Sequence, residues 1–392
     1  MTNYMPSAVT TPNSSICRSK DERRKMKGKR VLLGMSGGID STVSAMLLLE
    51  QGYEVVGVTF RTYDSIKESC LAREKGCCSI ESIMEAKHNA EQMGFEHHIV
   101  DFRETFKNCI IRNFIDEYLS GRTPNPCVLC NSHIKWGELL RVADELHCDY
   151  VATGHYARIR ERNGHLYLAA AADEHKDQTY FLWMLTEDNL RRTIFPLGDL
   201  TKPEVREIAR AHGYEALADK TESQEICFVT DNDYRSFLRA NVPDFAARVV
   251  PGDFVDAEGR VLGTHQGYAN YTIGQRKGLG IALGHPAYVT HIDAEKNQVT
   301  LGNNDDLFTT TLHFCPRFLR PISGCTSPIT AKVRYRSKAV ELKSSLPDLH
   351  SSADQSPLCS LIFSEPIWGV TPGQSLVLYQ DGLLIGGGVI QG

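Results

Sequence analysis

Apolar and polar positions change their spacing along the chain. Between about residues 30 and 220, short apolar runs alternate with longer segments in which apolar positions recur at helical spacing. The short runs predict strands at Val31–Gly34, Glu54–Phe60, His97–Val100 and Tyr150–Thr153. The longer segments predict helices at Ser41–Gln51, Ile80–Met93, Glu104–Leu119, Lys135–His147 and Pro203–His212. Strands separated by helices indicate βαβ units, and therefore an α/β fold with a Rossmann-like parallel sheet.

Beyond about residue 222, helical spacing gives way to short alternating strands. Hairpins are predicted at residues 254–262 and 292–301, and an Asp-Gly turn between apolar runs predicts a third at Leu376–Ile385. Strands at this spacing predict a C-terminal antiparallel β-barrel. We therefore divide the chain into a disordered N-terminal extension (1–27), an α/β domain (28–225), a small central domain (226–284) and the barrel domain (285–392).

Composition fits a soluble, intracellular protein. The 392 residues are 42% hydrophobic and 23% charged, with a net charge of -5 that gives no overall attraction to nucleic acid. No apolar run approaches the ~20 residues that span a bilayer, and residues 1–27 lack the apolar centre of a secretory signal. The 12 cysteines are then more typical of reduced thiols than of a disulfide framework. We expect a cytoplasmic protein with no membrane partner.

The segment Gly34–Ser41, of sequence GMSGGIDS, joins the first predicted strand to the first predicted helix. Backbone N–H groups and the positive end of a helix dipole converge at such a turn, which suits a phosphate group. Its adjacent glycines let the backbone approach an anion, its serine hydroxyls can donate to phosphate oxygens, and Asp40 can reach a magnesium ion. The segment lacks the Gly-Lys-Ser/Thr ending of a Walker P-loop. It also lacks the glycine spacing of a dinucleotide-binding fingerprint. It resembles the pyrophosphate loop of the PP-loop ATPases; the alternative is a tight turn without a ligand.

Residues 121–131, of sequence GRTPNPCVLCN, form the second informative stretch. Two prolines and a glycine predict an irregular, rigid loop that ends before the helix at Lys135. Cys127 and Cys130 have Cys-x-x-Cys spacing, which leaves three interpretations open: buried structural thiols, a zinc site with His133, or a reactive thiol near a helix end. Cys227 by itself would be interpreted as a core residue. The loop cysteines Cys70, Cys77 and Cys78 are more typical of packed or surface thiols than of a metal site.

Eight motifs occur in order along the chain: Gly34–Ser41, GRTPNPxxxCN at 121–131, ATGHYA at 152–157, KDQTYFL at 176–182, EICF at 225–228, YTIGQRKGL at 271–279, VRYR at 333–336 and VTPGQS at 370–375. This set resembles the tRNA-specific 2-thiouridylase family, within the PP-loop ATP pyrophosphatases, from Lys29 to the C-terminus. The resemblance implies an ATP-binding catalytic domain, a small central tRNA-binding domain and a C-terminal β-barrel.

The resemblance also implies a reaction. ATP, with Mg²⁺, adenylates the C2 oxygen of the wobble uridine in a tRNA anticodon, and a persulfide sulfur then displaces AMP to leave 2-thiouridine. Adenylation is needed because a carbonyl oxygen is a poor leaving group. The implied partners are tRNA with a wobble uridine and, as the sulfur source, a cysteine desulfurase or a sulfur-relay protein.

Matching positions carry the family's residue roles. Cys227 would bear the persulfide, and Cys130 would either release its terminal sulfur or pair with Cys227 in a disulfide afterwards. The implied ATP-binding residues are Gly34, Met35, Ser36, Gly37, Gly38, Ile39, Asp40, Ser41, Arg61 and Gly154, although the family often has an apolar residue at Arg61. The implied tRNA-binding residues are Asn125, Pro126, Cys127, His155, Lys176, Asp177, Gln178, Arg334, Tyr335 and Gln374, of which the first three face the target base.

Some of these positions also have simpler interpretations. Lys176 and Arg334 could be solvated charges, Gln374 could cap a Pro-Gly turn, and His155 could be a core histidine. One position departs from the family: many members have aspartate, a proposed general acid/base, where this chain has Cys127. A thiol with a pKa of about 8.5 is a poorer acid/base catalyst at neutral pH.

The substitution at Cys127 leaves two forms of the chemistry open. Cys127, Cys130 and Cys227 could relay a persulfide, or their three thiolates could hold an iron–sulfur cluster with one open iron. Two other functions also remain. Another PP-loop adenylating enzyme, such as an amidotransferase-type synthetase or a tRNA lysidine synthase, would not need Cys130 and Cys227. A non-catalytic tRNA- or nucleotide-binding protein would not turn over ATP.

Overall fold

The structure is a computed structural model that describes residues 28–63, 80–220, 226–229, 233–346 and 358–391. The predicted extension 1–27 and the cysteines Cys70, Cys77 and Cys78 lie outside this part of the chain.

A parallel sheet forms the centre of the N-terminal region. Its strands are β1 (Arg30–Gly34), β2 (Glu54–Arg61), β3 (His97–Asp101), β4 (Tyr150–Thr153) and β7 (Thr193–Ile194). Their order is β3-β2-β1-β4-β7, and every pair is parallel. The four predicted strands and the Rossmann-like sheet are therefore confirmed. Strand β2 lies on one side of β1 and β4 lies on the other, so the order of the strands reverses at β1. A ligand crevice is expected at such a point, at the carboxyl ends of β1 and β4.

Helices cover this sheet and continue into the central unit. They are α1 (Ile39–Glu50), α2 (Ile80–Met93), α3 (Arg103–Phe106, a π-helical stretch Lys107–Ile111, and Arg112–Leu119), α4 (Pro126–Leu129, a π-helical stretch Cys130–Glu138, and Leu139–Glu145), α5 (Thr179–Leu182), α6 (Glu187–Arg191), α7 (Lys202–Ala211), α8 (Glu215–Asp219), α9 (Tyr234–Asn241) and α10 (Phe245–Arg248). Within the described ranges, none of these helices combines the length and the apolar character that a bilayer crossing requires.

Helix α4 corrects one prediction. The sequence predicted an irregular loop up to Lys135, but the helix begins at Pro126, with Asn125 as its N-cap residue. Proline is well tolerated at the first helical position, because its fixed φ suits a helix and the N–H group it lacks would have no intrahelical acceptor. Cys127 and Cys130 therefore lie on the first turns of a helix and not in a loop.

A hairpin missing from the prediction links this region to the C-terminal barrel. It consists of β5 (Arg158–Arg162) and β6 (His165–Ala169), and β6 also pairs at Leu383 with the last strand of the chain, β17 (Leu383–Gln391). The sequence does contain its signal, an Asn-Gly pair at residues 163–164 between alternating segments.

The central unit contains a four-stranded sheet. Its strands are β8 (Gly252–Val255), β9 (Val261–His265), β10 (Tyr288–Asp293) and β11 (Gln298–Gly302), in the order β10-β11-β8-β9. Both hairpins predicted here are present. Because β11 pairs with β8, residues 288–302 belong to this sheet. We therefore move the boundary with the C-terminal unit from residue 284 to a point after Gly302.

The C-terminal unit is the predicted β-barrel. It consists of β12 (Phe308–Leu319), β13 (Ile329–Lys332), β14 (Val340–Glu341), β15 (Cys359–Trp368), β16 (Ser375–Gln380) and β17 (Leu383–Gln391). The sheet order is β14-β13-β16-β17-β12-β15, and a bridge between Leu342 and Phe363 joins its two ends. Closure removes the exposed strand edges, and Phe314, Leu376 and Ile385 are completely buried inside.

His97 on β3 supports the segment that follows β1, and it predicts a pH dependence of stability. Its Nε2 lies 2.9 Å from Thr59 Oγ1, and that hydroxyl donates to the Met35 carbonyl oxygen. Because the hydroxyl proton is already used, Nε2 must donate to Thr59, and the buried Nδ1 has no hydrogen-bond partner among the described residues. Burial is the main cause that lowers the pKa of His97 to about 4.

The folded pKa of His97 is below the unfolded value of about 6.5, so the unfolded chain binds more protons between these values. This contribution to stability is present above pH 6.5 and is lost as the pH falls towards 4. We expect His97→Gln to reduce the loss of unfolding free energy between pH 7 and pH 5 by about 2 kcal/mol. Urea denaturation of the wild type and the variant at pH 7 and at pH 5 measures this change in unfolding free energy. His133→Gln, at an exposed position, is the control; an unchanged pH slope in His97→Gln would contradict the assignment.

Candidate functional site

The loop Gly34–Ser41 leaves the carboxyl end of β1 and enters α1, as the sequence predicted. Gly37 has a φ of +71°, and a Cβ atom there would lie 2.3 Å from the carbonyl oxygen of Ser82. Gly38 is the N-cap residue of α1 and has no side chain to fill the space in front of the helix. The Ser41 hydroxyl donates to the Gly38 carbonyl oxygen at 3.0 Å and stabilises the turn. This leaves a backbone N–H surface at a helix N-terminus, which can bind phosphate.

Gly154 lies directly after β4 and closes the other side of this loop. A Cβ atom at Gly154 would lie 2.9 Å from the carbonyl carbon of Asp40 and 3.0 Å from the backbone nitrogen of Ser41. The close approach of β4 to α1 therefore requires glycine. Arg61, a third predicted member of the ATP site, is half-buried at the carboxyl end of β2. All the predicted ATP-binding residues thus belong to the ends of β1, β2 and β4 or to the start of α1.

Asp40 has two partners that the sequence did not reveal. Its Oδ1 accepts a hydrogen bond from Lys202 Nζ at 2.7 Å and another from the Tyr156 hydroxyl at 2.9 Å. The Lys202 side chain is only 8% exposed, so its ammonium group is held at the loop and not in solvent. Lys202 directly precedes the predicted helix Pro203–His212, and nothing in the helical pattern indicates that its side chain reaches α1.

Cys127 and Cys130 both lie near the start of α4, on the accessible part of the helix. Cys127 is exposed and Cys130 is partly exposed. Solvent reaches the Cys127 side chain, but protein atoms also surround its sulfur, and this desolvation raises the pKa of the thiol. The positive charge of Lys135 acts in the opposite direction and is the smaller effect. At neutral pH the Cys127 thiol is therefore mainly protonated.

Lys135 also lies close to the residue that follows Gly154. Its Nζ is 3.4 Å from His155 Nε2, while His155 Nδ1 is 2.8 Å from Thr153 Oγ1. Burial and, secondly, the charge of Lys135 lower the pKa of His155 well below its usual value. The imidazole is then neutral, and Lys135 donates to Nε2. The helical spacing around Lys135 predicts only that it lies on a helix, and does not predict that its side chain faces the site.

Cys227 is exposed, but its neighbours are anchored. Ile226, Phe228 and Val229 pack in a hydrophobic cluster against which Cys130 is also packed. Both thiols predicted to be catalytic therefore adjoin one cluster. Within the described residues, however, no three His, Cys, Asp or Glu side chains converge as metal ligands. This arrangement fits neither a cluster site formed by Cys127, Cys130 and Cys227 nor a zinc site with His133.

Asp177 and Gln178, both predicted to bind tRNA, have side-chain partners inside the protein. Asp177 is 6% exposed, and its carboxylate oxygens accept from the Ala171 N–H at 3.1 Å and the Thr179 hydroxyl at 2.7 Å. Gln178 Oε1 accepts from the Tyr156 N–H at 2.9 Å. These bonds hold the segment beside Tyr156 in place, whereas Lys176 is only partly buried.

The motif at 370–375 docks against the loop that leads to α4. Gln374 Nε2 donates to the carbonyl oxygens of Pro124 at 2.8 Å and Thr123 at 3.1 Å, and Asn125 Nδ2 donates to Ser375 Oγ at 3.4 Å. The Gln374 side chain thus bonds to the segment before α4, a role that differs from capping its own Pro-Gly turn. Through these bonds, the C-terminal barrel positions the segment that contains Pro126 and Cys127.

Arg334 joins the barrel to the central unit. Its guanidinium group donates to Thr371 Oγ1 at 2.7 Å and to the Ile273 carbonyl oxygen at 3.3 Å, and it lies 5.0 Å from the ring centre of Trp368. Desolvation lowers the pKa of this arginine from its usual value. The adjacent Tyr335 packs on the ring of Phe181 at 4.5 Å.

Comparison with family models divides the chain into three matched ranges. Residues 29–231 match the model described as a tRNA methyl transferase HUP domain, and residues 237–303 match a tRNA methyl transferase PRC-barrel domain. Residues 304–390 match an aminomethyltransferase beta-barrel domain.

The chain is similar to curated proteins along almost its whole length. It is 47% identical to a protein of Amoebophilus asiaticus over 93% of this chain and 96% of the relative. It is 45% identical to a protein of Cytophaga hutchinsonii over 93% of this chain and 98% of the relative. It is 48% identical to a protein of Salinibacter ruber over 93% of this chain and 94% of the relative. All three relatives are named tRNA-specific 2-thiouridylase MnmA.

Proposed function

The chain belongs to the tRNA-specific 2-thiouridylase family, and from this premise we propose that it uses ATP to convert the wobble uridine of tRNA anticodons to 2-thiouridine. One observation carries the proposal. The anion-binding turn at α1 is packed against Gly154, and the next residue, His155, is hydrogen-bonded to Lys135 on the helix that bears Cys127 and Cys130. A site for nucleotide phosphates and a thiol-bearing helix thus adjoin each other.

The first step is adenylation. The uridine O2 attacks the α-phosphorus of ATP, the new O–P bond forms, pyrophosphate leaves, and the N3 proton is released. The backbone N–H groups at Gly37 and Gly38 hold phosphate oxygens, and Lys202 supplies a positive charge beside them. Magnesium binds proteins through one or two carboxylates and substrate phosphates, and it would neutralise phosphate charge here. Asp40 fits that limited role as the carboxylate of the loop.

The second step is sulfur transfer. The terminal sulfur of a Cys227 persulfide anion bonds to C2 of the adenylated uridine, and the C2–O bond to AMP breaks. The Cys130 thiolate then attacks the Cys227 sulfur and forms a Cys130–Cys227 disulfide. The sulfur on C2 leaves Cys227 with the bonding electron pair, and a proton returns to the base. An external dithiol reductant restores both thiols.

In this proposal the sulfur travels on cysteine alone. A cluster would need three thiols at one point, and no three ligands converge within the described residues, whereas the persulfide form brings only two thiols together at a time. Cys127 then lines the site as a mainly protonated thiol beside Lys135. A cysteine desulfurase or a sulfur-relay protein would charge Cys227, and the cytoplasm, where tRNA is modified and thiols stay reduced, is the proposed location.

The full-length protein, purified anaerobically and freed of iron, tests the proposal. With ATP, Mg²⁺, tRNA and a persulfide donor, we expect 2-thiouridine, AMP and pyrophosphate to form in equal amounts. Nucleoside mass spectrometry and phosphate analysis measure them. A parallel sample is reconstituted with iron and sulfide. Thiolation only in that sample would contradict the persulfide form and leave 2-thiouridine synthesis intact.

Other outcomes would point to the competing functions. ATP cleavage to AMP without 2-thiouridine in either sample would favour a different adenylating enzyme. Binding of tRNA without ATP turnover would favour a non-catalytic protein.

A further inference from the structure

An aromatic cluster surrounds the residue next to Cys227. Phe228 is 2% exposed, whereas Cys227 is exposed. The centre of the Phe228 ring lies 5.1 Å from that of Phe114, 5.6 Å from that of Phe106 and 5.2 Å from that of Phe237. Because protein interiors are closely packed, a ring enclosed on several sides restricts the backbone to which it is attached. The enclosed Phe228 ring thus fixes the place of the exposed thiol beside it.

The same cluster supports the helix of the second thiol. Ile134 of α4 is fully buried in it, and Leu129 and Cys130 pack against it. The cluster is therefore a common support for Cys130 and Cys227, although they are far apart in sequence. A change in its shape would alter the position of one thiol relative to the other.

Part of this support comes from α9 of the central unit, a helix that carries neither thiol. Phe237 lies on α9, is 8% exposed, and contacts Phe114 at 5.7 Å in addition to Phe228. On the same helix, the Tyr234 ring is stacked on that of Tyr118 at 4.4 Å with an interplanar angle of 11°. These contacts attach α9 to α3, so the central unit supplies one wall of the pocket that holds Phe228.

We propose that Phe237 is a positioning residue for sulfur transfer, which holds Phe228 and thereby places the Cys227 thiol relative to Cys130 and the target base. The inference rests on the proposed function and gives the central unit a part in it. The affected step forms the bond from sulfur to C2 and breaks the bond from C2 to the oxygen of AMP. Such a reaction requires aligned atoms about 3–3.5 Å apart, and a displacement of about 1 Å can cost about a hundredfold in rate. Adenylation depends on the loop at β1 and α1 instead, and should not require Phe237.

Single-turnover kinetics of the full-length protein, charged beforehand with persulfide at Cys227, tests this role. Pyrophosphate release and 2-thiouridine formation are followed separately in the wild type, Phe237→Ala and Phe237→Leu. We expect Phe237→Ala to slow thiolation about ten- to a hundredfold while pyrophosphate release stays within about twofold. Phe237→Leu, which retains an apolar side chain, should be intermediate, and it carries the test if the alanine variant does not fold.

Phe254→Leu is the matched control. Phe254 is also a buried aromatic residue of the central unit, but it packs on Tyr271 in the core of the four-stranded sheet. We expect it to leave the ratio of the two rates unchanged. If the Phe237 variants keep both rates, or lower both equally, the positioning role is wrong. A charged wild type that releases pyrophosphate without forming 2-thiouridine would contradict the proposed function instead.

Discussion

Cys227→Ser should abolish 2-thiouridine formation and leave ATP-dependent pyrophosphate release close to the wild-type rate. Serine is nearly isosteric, but its hydroxyl cannot form the sulfur–sulfur bond of a persulfide. Cys227 is exposed beside the buried Phe228, so the substitution should not disturb the fold. The expected loss of thiolation is at least about a thousandfold, as for removal of an essential nucleophile. Quantitative nucleoside mass spectrometry of reacted tRNA measures it.

Cys130→Ser should also stop turnover, but at a later stage. Without the Cys130 thiolate, the Cys227 sulfur stays joined to the sulfur on C2, and tRNA remains covalently bound. A nonreducing gel should then show a protein–tRNA adduct that a thiol reductant releases. Absence of the adduct would favour the alternative order, in which Cys130 releases the sulfur before it reaches the base.

Cys109→Ser provides the control for both cysteine variants. Cys109 is an exposed cysteine of α3, and no part of the proposed mechanism uses it. We expect full thiolation activity from this variant. Substantial 2-thiouridine formation by Cys227→Ser would mean that another thiol carries the sulfur, and Cys127, the third thiol predicted at the site, would be tested next.

The elements predicted from sequence were those in which local pattern and tertiary environment agree. Of the four predicted strands of the parallel sheet, β1, β2 and β4 are short apolar runs that are buried centrally, as such runs require, whereas β3 lies at the edge of the sheet. Helix α4 was missed at its start because two prolines were interpreted as barriers to regular structure, whereas Pro126 occupies the one helical position that suits it. The hairpin of β5 and β6 was missed although its Asn-Gly turn at residues 163–164 is visible in the sequence; only its attachment to β17, near the other end of the chain, depends on folding.

The candidate site shows the same limit for individual residues. The ATP loop could be recognised because its function depends on consecutive backbone groups. Lys202 and Phe237 could not, because each reaches its partner only after folding brings distant segments together. The family resemblance likewise gave Asp177 and Gln374 a tRNA role, but could not reveal that their side chains bond within the protein. Whether they also contact tRNA remains a prediction.

Gly154→Ala should disable adenylation, since the added methyl group has no room. Its Cβ would lie 2.9 Å from the carbonyl carbon of Asp40 and 3.0 Å from the nitrogen of Ser41, and these backbone atoms cannot move without displacing the start of α1. We expect ATP-dependent pyrophosphate release to fall about a hundredfold, while tRNA binding is retained. Gly137→Ala on α4 is the control. Its Cβ would meet no atom closer than the Ser132 carbonyl oxygen at 3.5 Å, so activity should be unchanged and stability should rise by up to about 1 kcal/mol. Normal adenylation by Gly154→Ala would mean that ATP is bound away from the crevice between β1 and β4, and the assignment of the loop would have to be abandoned.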